Sequence, residues 1–309
     1  MTKIGRRDAL LRIGAGLAAL MSARSEVSAG RTAQPATMLT RRIPSSGKVI
    51  PVIGLGTWQT FDVGSNVAAR ASLEQVLAAF VELGGKVIDS SPMYGSSEEV
   101  VGDLVSKLGV RSQLFIASKV WTSGKSRGIQ QMEESSRKLR TRTIELMQVH
   151  NLVDVRTHLE TLRAWKQEGR VRYIGVTHYT ESGHDDVARL IELVPIDFVQ
   201  INYSVGERDA EQRVLPLARE RGVAVIANRP FAGGDLLRQL RGKPLPPWAS
   251  EIECRSWAQL LLKFVVSHPA ITCAIPATSR VEHLRDNMAG GRGPMPNEEL
   301  RALIVAEVA

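Results

Sequence analysis

Eight short runs rich in valine and isoleucine recur along this chain, each followed by a stretch with helical spacing, and that alternation leaves few architectures open. The runs fall near residues 53–57, 86–90, 114–119, 144–150, 173–177, 198–202, 224–227 and 272–275. Helices are expected between and after them, near 73–83, 98–108, 130–139, 156–168, 185–193, 211–221, 255–267 and 281–288. Most of the strand runs lack strict apolar–polar alternation, the mark of parallel strands buried on both faces. Ahead of them, 39–42 and 49–52 flank Ser-Ser-Gly-Lys, a hairpin signal. The expected fold is therefore α/β: a closed (β/α)8 TIM barrel with an N-terminal β-hairpin. A doubly wound open sheet would need a glycine-rich phosphate loop after its first strand. Ile53-Gly-Leu-Gly56 supplies two glycines, but Thr57-Trp58 follow where a third should open a helix, and that fold is set aside.

In a barrel of this kind the active site lies at the C-terminal ends of the strands. Val87-Ile-Asp-Ser-Ser-Pro-Met-Tyr-Gly95 runs a strand into Asp89 and, after a turn, Tyr94; the strand near 114–119 ends in Lys119, and that near 144–150 in His150. A carboxylate closing a buried apolar strand requires a partner, and Lys119 is available. Each group taken alone has an ordinary account: a barrel salt bridge, a loop aromatic, a satisfied interior histidine. Four of them at one end of one barrel point instead to acid–base chemistry.

The chain carries a formal net charge of +8. Residues 1–29 hold five Lys or Arg against Asp8 and Glu26, so three of those charges sit there and five are scattered over the rest. No basic stripe or nucleic-acid motif accompanies the excess, which suits anionic small molecules better than nucleic acid. Residues 1–29 read as a signal peptide: a basic start, an uncharged run from Ile13 to Ala23 too short to span a bilayer, and small residues up to Ala29. Arg6-Arg7 followed by Asp8-Ala-Leu-Leu11 resembles a bacterial twin-arginine export signal, which implies the twin-arginine export machinery as a partner and a periplasmic destination. An amphipathic terminus is the competing reading. No cysteine follows the apolar run, so no lipid anchor or stable membrane anchor is expected. Residues 30–37 read as a linker, and the barrel as 38–309. Cys254 and Cys273 permit at most one disulfide, with Cys273 expected in a core strand, and the six histidines show no metal-ligand spacing.

Gly54-Leu-Gly-Thr-Trp58, Val87 to Gly95, Ile116-Ala-Ser-Lys119, Met147-Gln-Val-His150, Tyr173-Ile-Gly-Val-Thr177, Gln200-Ile-Asn-Tyr-Ser204 and Ile275-Pro-Ala-Thr-Ser279 together resemble the aldo-keto reductases, in the right order over about residues 40 to 290. The resemblance implies reversible carbonyl reduction with a nicotinamide cofactor, preferably NADPH/NADP, and no metal. By that likeness Asp89, Tyr94, Lys119 and His150 match a catalytic tetrad: Tyr94 the proton donor, Lys119 paired to Asp89 and stabilising the phenolate, His150 polarising the carbonyl. Thr57, Trp58, Asp89, Thr177 and Gln200 match positions at the nicotinamide. His178 stands where the family has asparagine. Asn228-Arg229-Pro230-Phe231 stands where most members have Tyr-Ser-Pro-Leu, so the stacking aromatic is missing and Arg229 is expected to lie over the ring instead. Ala277, Thr278, Ser279 and Arg280 match the end that takes the adenosine 2′-phosphate, with Asp286 and Asn287 at the adenine and His283 replacing a frequent arginine.

Trp58 and Trp121 resemble aromatic walls of a carbonyl pocket. No long C-terminal loop follows the last expected helix, which implies a small or loosely selected aldehyde or ketone as substrate. Two other classes stay open at this point. One is an exported cofactor-binding or sensor protein with little turnover. The other is an oxidoreductase that keeps one cofactor and shuttles hydride between two substrates. The complete Asp-Tyr-Lys-His set favours the reductase, whereas a compartment without an evident NADPH supply favours the others.

Overall fold

A computed structural model describes residues 37–308; the expected signal, 1–29, and all but the last residue of the expected linker, 30–37, lie outside the described residues. A two-stranded antiparallel hairpin, β1 (Thr40–Arg42) and β2 (Val49–Pro51), comes first, paired Arg41 to Ile50. Eight parallel strands follow in sequential order: β3 (Leu55–Gly56), β4 (Val87–Asp89), β5 (Phe115–Val120), β6 (Ile144–His150), β7 (Val171–Thr177), β8 (Phe198–Asn202), β9 (Ala224–Asn228) and β10 (Ile271–Ala274). The sheet closes on itself. Gly54 N donates to Ala274 O at 2.8 Å, Ala274 N to Val52 O at 2.8 Å and Gly56 N to Pro276 O at 3.1 Å. Gly56 must be bare at that seam, since a Cβ there would stand 2.7 Å from Ile275 O.

The helices α1 (Val67–Glu82), α2 (Ser97–Leu108), α3 (Lys125–Lys138), α4 (Val155–Gln167), α5 (His184–Leu193) and α6 (Val214–Glu220) wrap the outside, as expected from spacing. In α1, Leu73, Val76, Leu77 and Phe80 fall at helical intervals and are buried, and the Asn66 side chain caps the start by accepting from Ala69 N. Beyond β9 the chain holds a short helix that spacing did not indicate, α7 (Asp235–Gln239), before α8 (Trp257–Ser267) and α9 (Val281–Ala289). A further helix, α10 (Glu298–Val308), follows where no element was expected. Its Arg301 donates to Ser267 Oγ at 2.7 Å and Tyr203 Oη at 2.8 Å, and its last turn accepts from Gln239 Nε2 at 3.0 Å and Lys243 Nζ at 2.7 Å.

Strand periodicity sorts the interior into layers, because side chains two apart share a face. At the strand starts the inward residues are apolar: Val87, Phe115, Leu146, Tyr173, Phe198 and Ala224 form one cluster with Ile43 and Ile50 of the hairpin. The hairpin thus plugs the N-terminal end, and each of these fully buried isoleucines contributes about 1.5–3 kcal/mol. Ser46 Oγ meets Tyr173 Oη at 2.7 Å across that floor. Further up each strand, the same parity brings Asp89, Lys119, Gln148, His150, Thr177, Gln200 and Asn228 inward at the opposite end. The out-facing residues between them, such as Ile88, Ile116, Met147 and Val199, pack in the outer cluster with the helices.

Cys273 is fully buried in β10, as expected, and Cys254 is also buried; both are free thiols. Among the described residues no helix is long and apolar enough to cross a membrane.

Candidate active site

The polar layer opens into a cleft of about 860 Å³ at the C-terminal strand ends, within the usual size range for small-molecule and cofactor sites. At its base Lys119 Nζ donates to Asp89 Oδ2 at 2.6 Å and to Ser90 O at 2.7 Å. Both partners are almost wholly buried, Lys119 at 0% and Asp89 at 2% exposure. Asp89 Oδ1 receives Gln200 Nε2 at 2.8 Å and Gln148 Nε2 at 3.4 Å. The carboxylate is therefore held by one cation and two amides from three other strands. Burial alone would pull the Lys119 proton off, but the Asp89 carboxylate and Tyr94 more than offset it and hold the amine above its ordinary range. Thr57 hydroxyl donates to Asp89 O at 2.9 Å and lies 3.0 Å from Ser90 Oγ, pinning the β4 end to the β3 end.

Tyr94 reaches the cleft through the turn after β4. Its N–H donates to Ser91 O at 3.0 Å, and Gly95 at the following position has φ +58° with the Asp62 carboxylate where a Cβ would stand. The Lys119 ammonium sits 4.9 Å from the centre of the Tyr94 ring. That cation favours the phenolate, as the resemblance implies. Burial outweighs it: desolvation, with a smaller contribution from Asp89, raises the phenol above its ordinary value even though Lys119 opposes the rise. The phenol consequently keeps its proton.

His150 stands edge-on to Tyr94, ring centres 6.0 Å apart at 85°, with Trp121 at 6.4 Å on another side. Its Nδ1 is 3.1 Å from Ser91 Oγ. Burial, then the Lys119 charge and His178, depress its pKa to about 3, so the imidazole is neutral at physiological pH.

Thr57, Trp58, Asp89, Tyr94, Trp121, His150, Thr177 and Gln200 all line the cleft, as do the 228–231 run, Ala277, Thr278, His283, Asp286 and Asn287. Thr177 Oγ1 donates to Gln200 Oε1 at 3.3 Å. Four expected residues are not brought into the lining; one is Lys119, which is wholly buried against Asp89. The His178 ring turns away to Thr180, 3.2 Å from its carbonyl oxygen, and packs on bare Gly183 and Tyr179; its backbone carbonyl accepts Asn228 Nδ2 at 3.3 Å and its N–H donates to Gln200 O at 2.9 Å. Ser279 and Arg280 are exposed beyond the end of the cleft, Arg280 3.6 Å from Glu282. Asp286 lines the wall, but its oxygens already accept from Ser256 Oγ and Gln259 Nε2, each at 2.7 Å.

Arg229 is a wall residue with its charge partly balanced. Its guanidinium pairs with Glu207 at 3.3 Å and lies over Gly233, and its backbone is left-handed, φ +50°. Buried Asn228 Oδ1 and Arg229 Nε have no hydrogen-bond partner among the described residues. Spacing gave no warning of the roof: Leu237, Leu240, Arg241 and Lys243 line the cleft from the segment between β9 and α8, and Trp257 from the first position of α8. Trp257 Nε1 donates to Lys243 O at 2.7 Å and ties that roof down. Met93 and Tyr179 add apolar surface to the walls formed by Trp58 and Trp121.

Residues 52–304 match the sequence model of the Aldo/keto reductase family. The methylglyoxal reductase YeaE of Escherichia coli (strain K12) is 30% identical over 275 residues, 86% of this chain and 94% of that protein. An aldo-keto reductase from Klebsiella pneumoniae solved in complex with NADPH superposes with a TM-score of 0.72 at 25% identity, covering 88% of this chain and 96% of that one. An aldo/keto reductase of the same organism, solved with NADP and acetate, gives a TM-score of 0.70 at 25% identity over 85% of this chain and 93% of that one.

Proposed function

The chain belongs to the aldo/keto reductase family, and from that premise we propose that it reduces small aldehydes or ketones to alcohols with NADPH, Tyr94 giving the proton. The observation that carries this reading is the buried Asp89–Lys119 pair at 2.6 Å beside a protonated phenol and a neutral imidazole, with Asp89, Tyr94 and His150 lining one cleft. The cleft fits the cofactor. It is long enough to run from Asn228 past Ala277 to Asn287, and the partnerless Asn228 Oδ1 and Arg229 Nε are polar atoms a ligand would satisfy. Thr57, Trp58, Thr177, Gln200 and the 228–231 run would hold the nicotinamide end, and Ala277 to Arg280 with His283 and Asn287 the adenosine phosphate end. Exposed Arg280 is free to turn from Glu282 to a 2′-phosphate, which favours NADP over NAD. His178 contributes through its backbone, which bonds Asn228 and Gln200.

When bound, NADPH supplies hydride to the carbonyl carbon. Tyr94 then delivers its proton to the oxygen, and Lys119 stabilises the phenolate left behind without itself being an unpaired charge. His150, being neutral, orients the carbonyl through a hydrogen bond and brings no competing charge. Trp58, Met93, Trp121 and Tyr179 exclude water around the reacting carbon. Residues 1–29 would direct export by the twin-arginine route, which accepts a folded protein and so allows cofactor to be loaded first. The test is to add methylglyoxal and benzaldehyde separately to purified protein with NADPH and follow NADPH oxidation. Turnover with either supports the reading, and tight NADPH binding with no oxidation by any carbonyl supports a sensor instead.

A further inference from the structure

We infer that Ser91 is a positioning residue that holds His150 in the tautomer carrying its proton on Nε2. The consequence for catalysis rests on the proposed role of His150 at the carbonyl oxygen. The tautomer itself follows from an accounting of donors and acceptors around one hydroxyl. Ser91 is fully buried, which leaves no bulk water to satisfy its hydroxyl, and His150 is buried except where its ring lines the cleft. Ser91 Oγ has two polar neighbours among the described residues: His150 Nδ1 at 3.1 Å, and Met93 N, which donates to it at 3.4 Å. Were Nδ1 protonated, Oγ would receive two N–H groups and its own proton would have no acceptor. With Nδ1 unprotonated, the hydroxyl accepts from Met93 and donates to His150, and the Met93 N–H, the hydroxyl and Nδ1 are all paired. The imidazole proton then belongs to Nε2, which has no protein partner among the described residues on a ring that lines the cleft.

The sequence builds this into a turn. Ser91 O accepts the Tyr94 N–H at 3.0 Å while Ser91 Oγ reaches His150, so one residue fixes the proton donor through its backbone and the imidazole through its side chain. Replacing the hydroxyl therefore keeps the backbone bond to Tyr94 and frees the ring, together with the long Met93 N–H contact.

The experiment is nitrogen NMR of 15N-histidine-labelled protein, with His150→Gln used to assign the signals, on wild type, Ser91→Ala and Ser91→Thr. The expected wild-type spectrum has Nδ1 in its unprotonated position and Nε2 in its protonated one. In Ser91→Ala the two signals move toward one another as the second tautomer becomes populated, and kcat falls about two- to tenfold with NADPH affinity unchanged, because an ordinary hydrogen bond biases such a population by roughly fivefold. Ser91→Thr, which keeps the hydroxyl, restores the spectrum. A protonated Nδ1 in the wild type, or a Ser91→Ala spectrum identical to it, overturns the inference. Unimpaired carbonyl reduction by His150→Gln would remove the catalytic role of His150, while the spectra, recorded without substrate, still decide the tautomer.

Discussion

Replacing Lys119 by methionine separates the electrostatic role of the buried pair from its bulk, since the apolar stem is largely kept and the ammonium is lost. The wild-type amine donates to Asp89 Oδ2 at 2.6 Å and Ser90 O at 2.7 Å, and in the variant both acceptors lose that partner. Gln200 and Gln148 still reach Oδ1, but amides carry no charge to balance the carboxylate. Breaking a buried ion pair by removing one partner costs about 3–5 kcal/mol. For a chain of this size that corresponds to a fall in Tm of roughly 6–20 °C at about 2–4 °C per kcal/mol. Asp89→Asn combined with Lys119→Met removes both charges and should recover most of the loss, giving a coupling of about 2 kcal/mol or more. The sign with pH is also fixed. The penalty comes from an uncompensated negative charge in the interior, so the Lys119→Met deficit is largest at neutral pH and shrinks in acid. Thermal melts at several pH values, with turnover measured alongside, read all of this; turnover should be lost in both variants. A Lys119→Met protein melting with the wild type, or a double variant no more stable than the single, would refute the reasoning.

The remaining predictions concern the imidazole, the cleft wall and the terminus. The His150 pKa is lowered to about 3 from a value near ~6.5 when unfolded, so its burial as a neutral ring contributes stability that is present above the unfolded value and lost as pH falls toward 3. His150→Gln should therefore flatten the acid limb of a Tm-against-pH curve, and an unchanged limb counts against a neutral buried ring. Arg229 lies on the wall with Glu207 balancing part of its charge, so the protein should bind NADPH more tightly than NADP⁺, Arg229→Ala should narrow that gap and Glu207→Gln widen it. Titration of both redox forms decides; equal ratios in all three proteins would place the guanidinium away from the ring. Arg6→Lys with Arg7→Lys should strand the precursor in the cytoplasm without changing its melting temperature, and mature protein found outside despite both changes would refute the signal.

Much of the barrel was legible because strand parity does double duty. In Leu146-Met-Gln-Val-His150 the alternate residues Leu146, Gln148 and His150 climb from apolar floor to polar cleft, and Met147 and Val149 face the helices. Asp89 and Lys119 stood out for the same reason, as charges ending buried strands. The shift of the Tyr94 phenol was not legible, because it depends on how far burial outweighs a cation, and a residue string does not carry depth. The roof from 229 to 257 was hidden because its order comes from tertiary ties such as Trp257 to Lys243, not from apolar periodicity. The environment of Arg229 was hidden for a related reason: Glu207 lies 22 positions earlier, in a different loop. Helix α10 escaped notice because among its 11 residues only Ile304 and Val308 are buried, too thin an apolar stripe to mark a helix by spacing.

Tyr94 is proposed to give the proton in a reaction that hydride transfer alone cannot complete. The most direct test is to measure, on wild type and Tyr94→Phe, both NADPH affinity by fluorescence titration and the single-turnover rate of NADPH oxidation by methylglyoxal. Loss of a general acid predicts a rate lower by about 10²–10⁴-fold, with the affinity for NADPH within a few-fold of wild type. A Tyr94→Phe protein that turns over as fast as wild type would contradict the account.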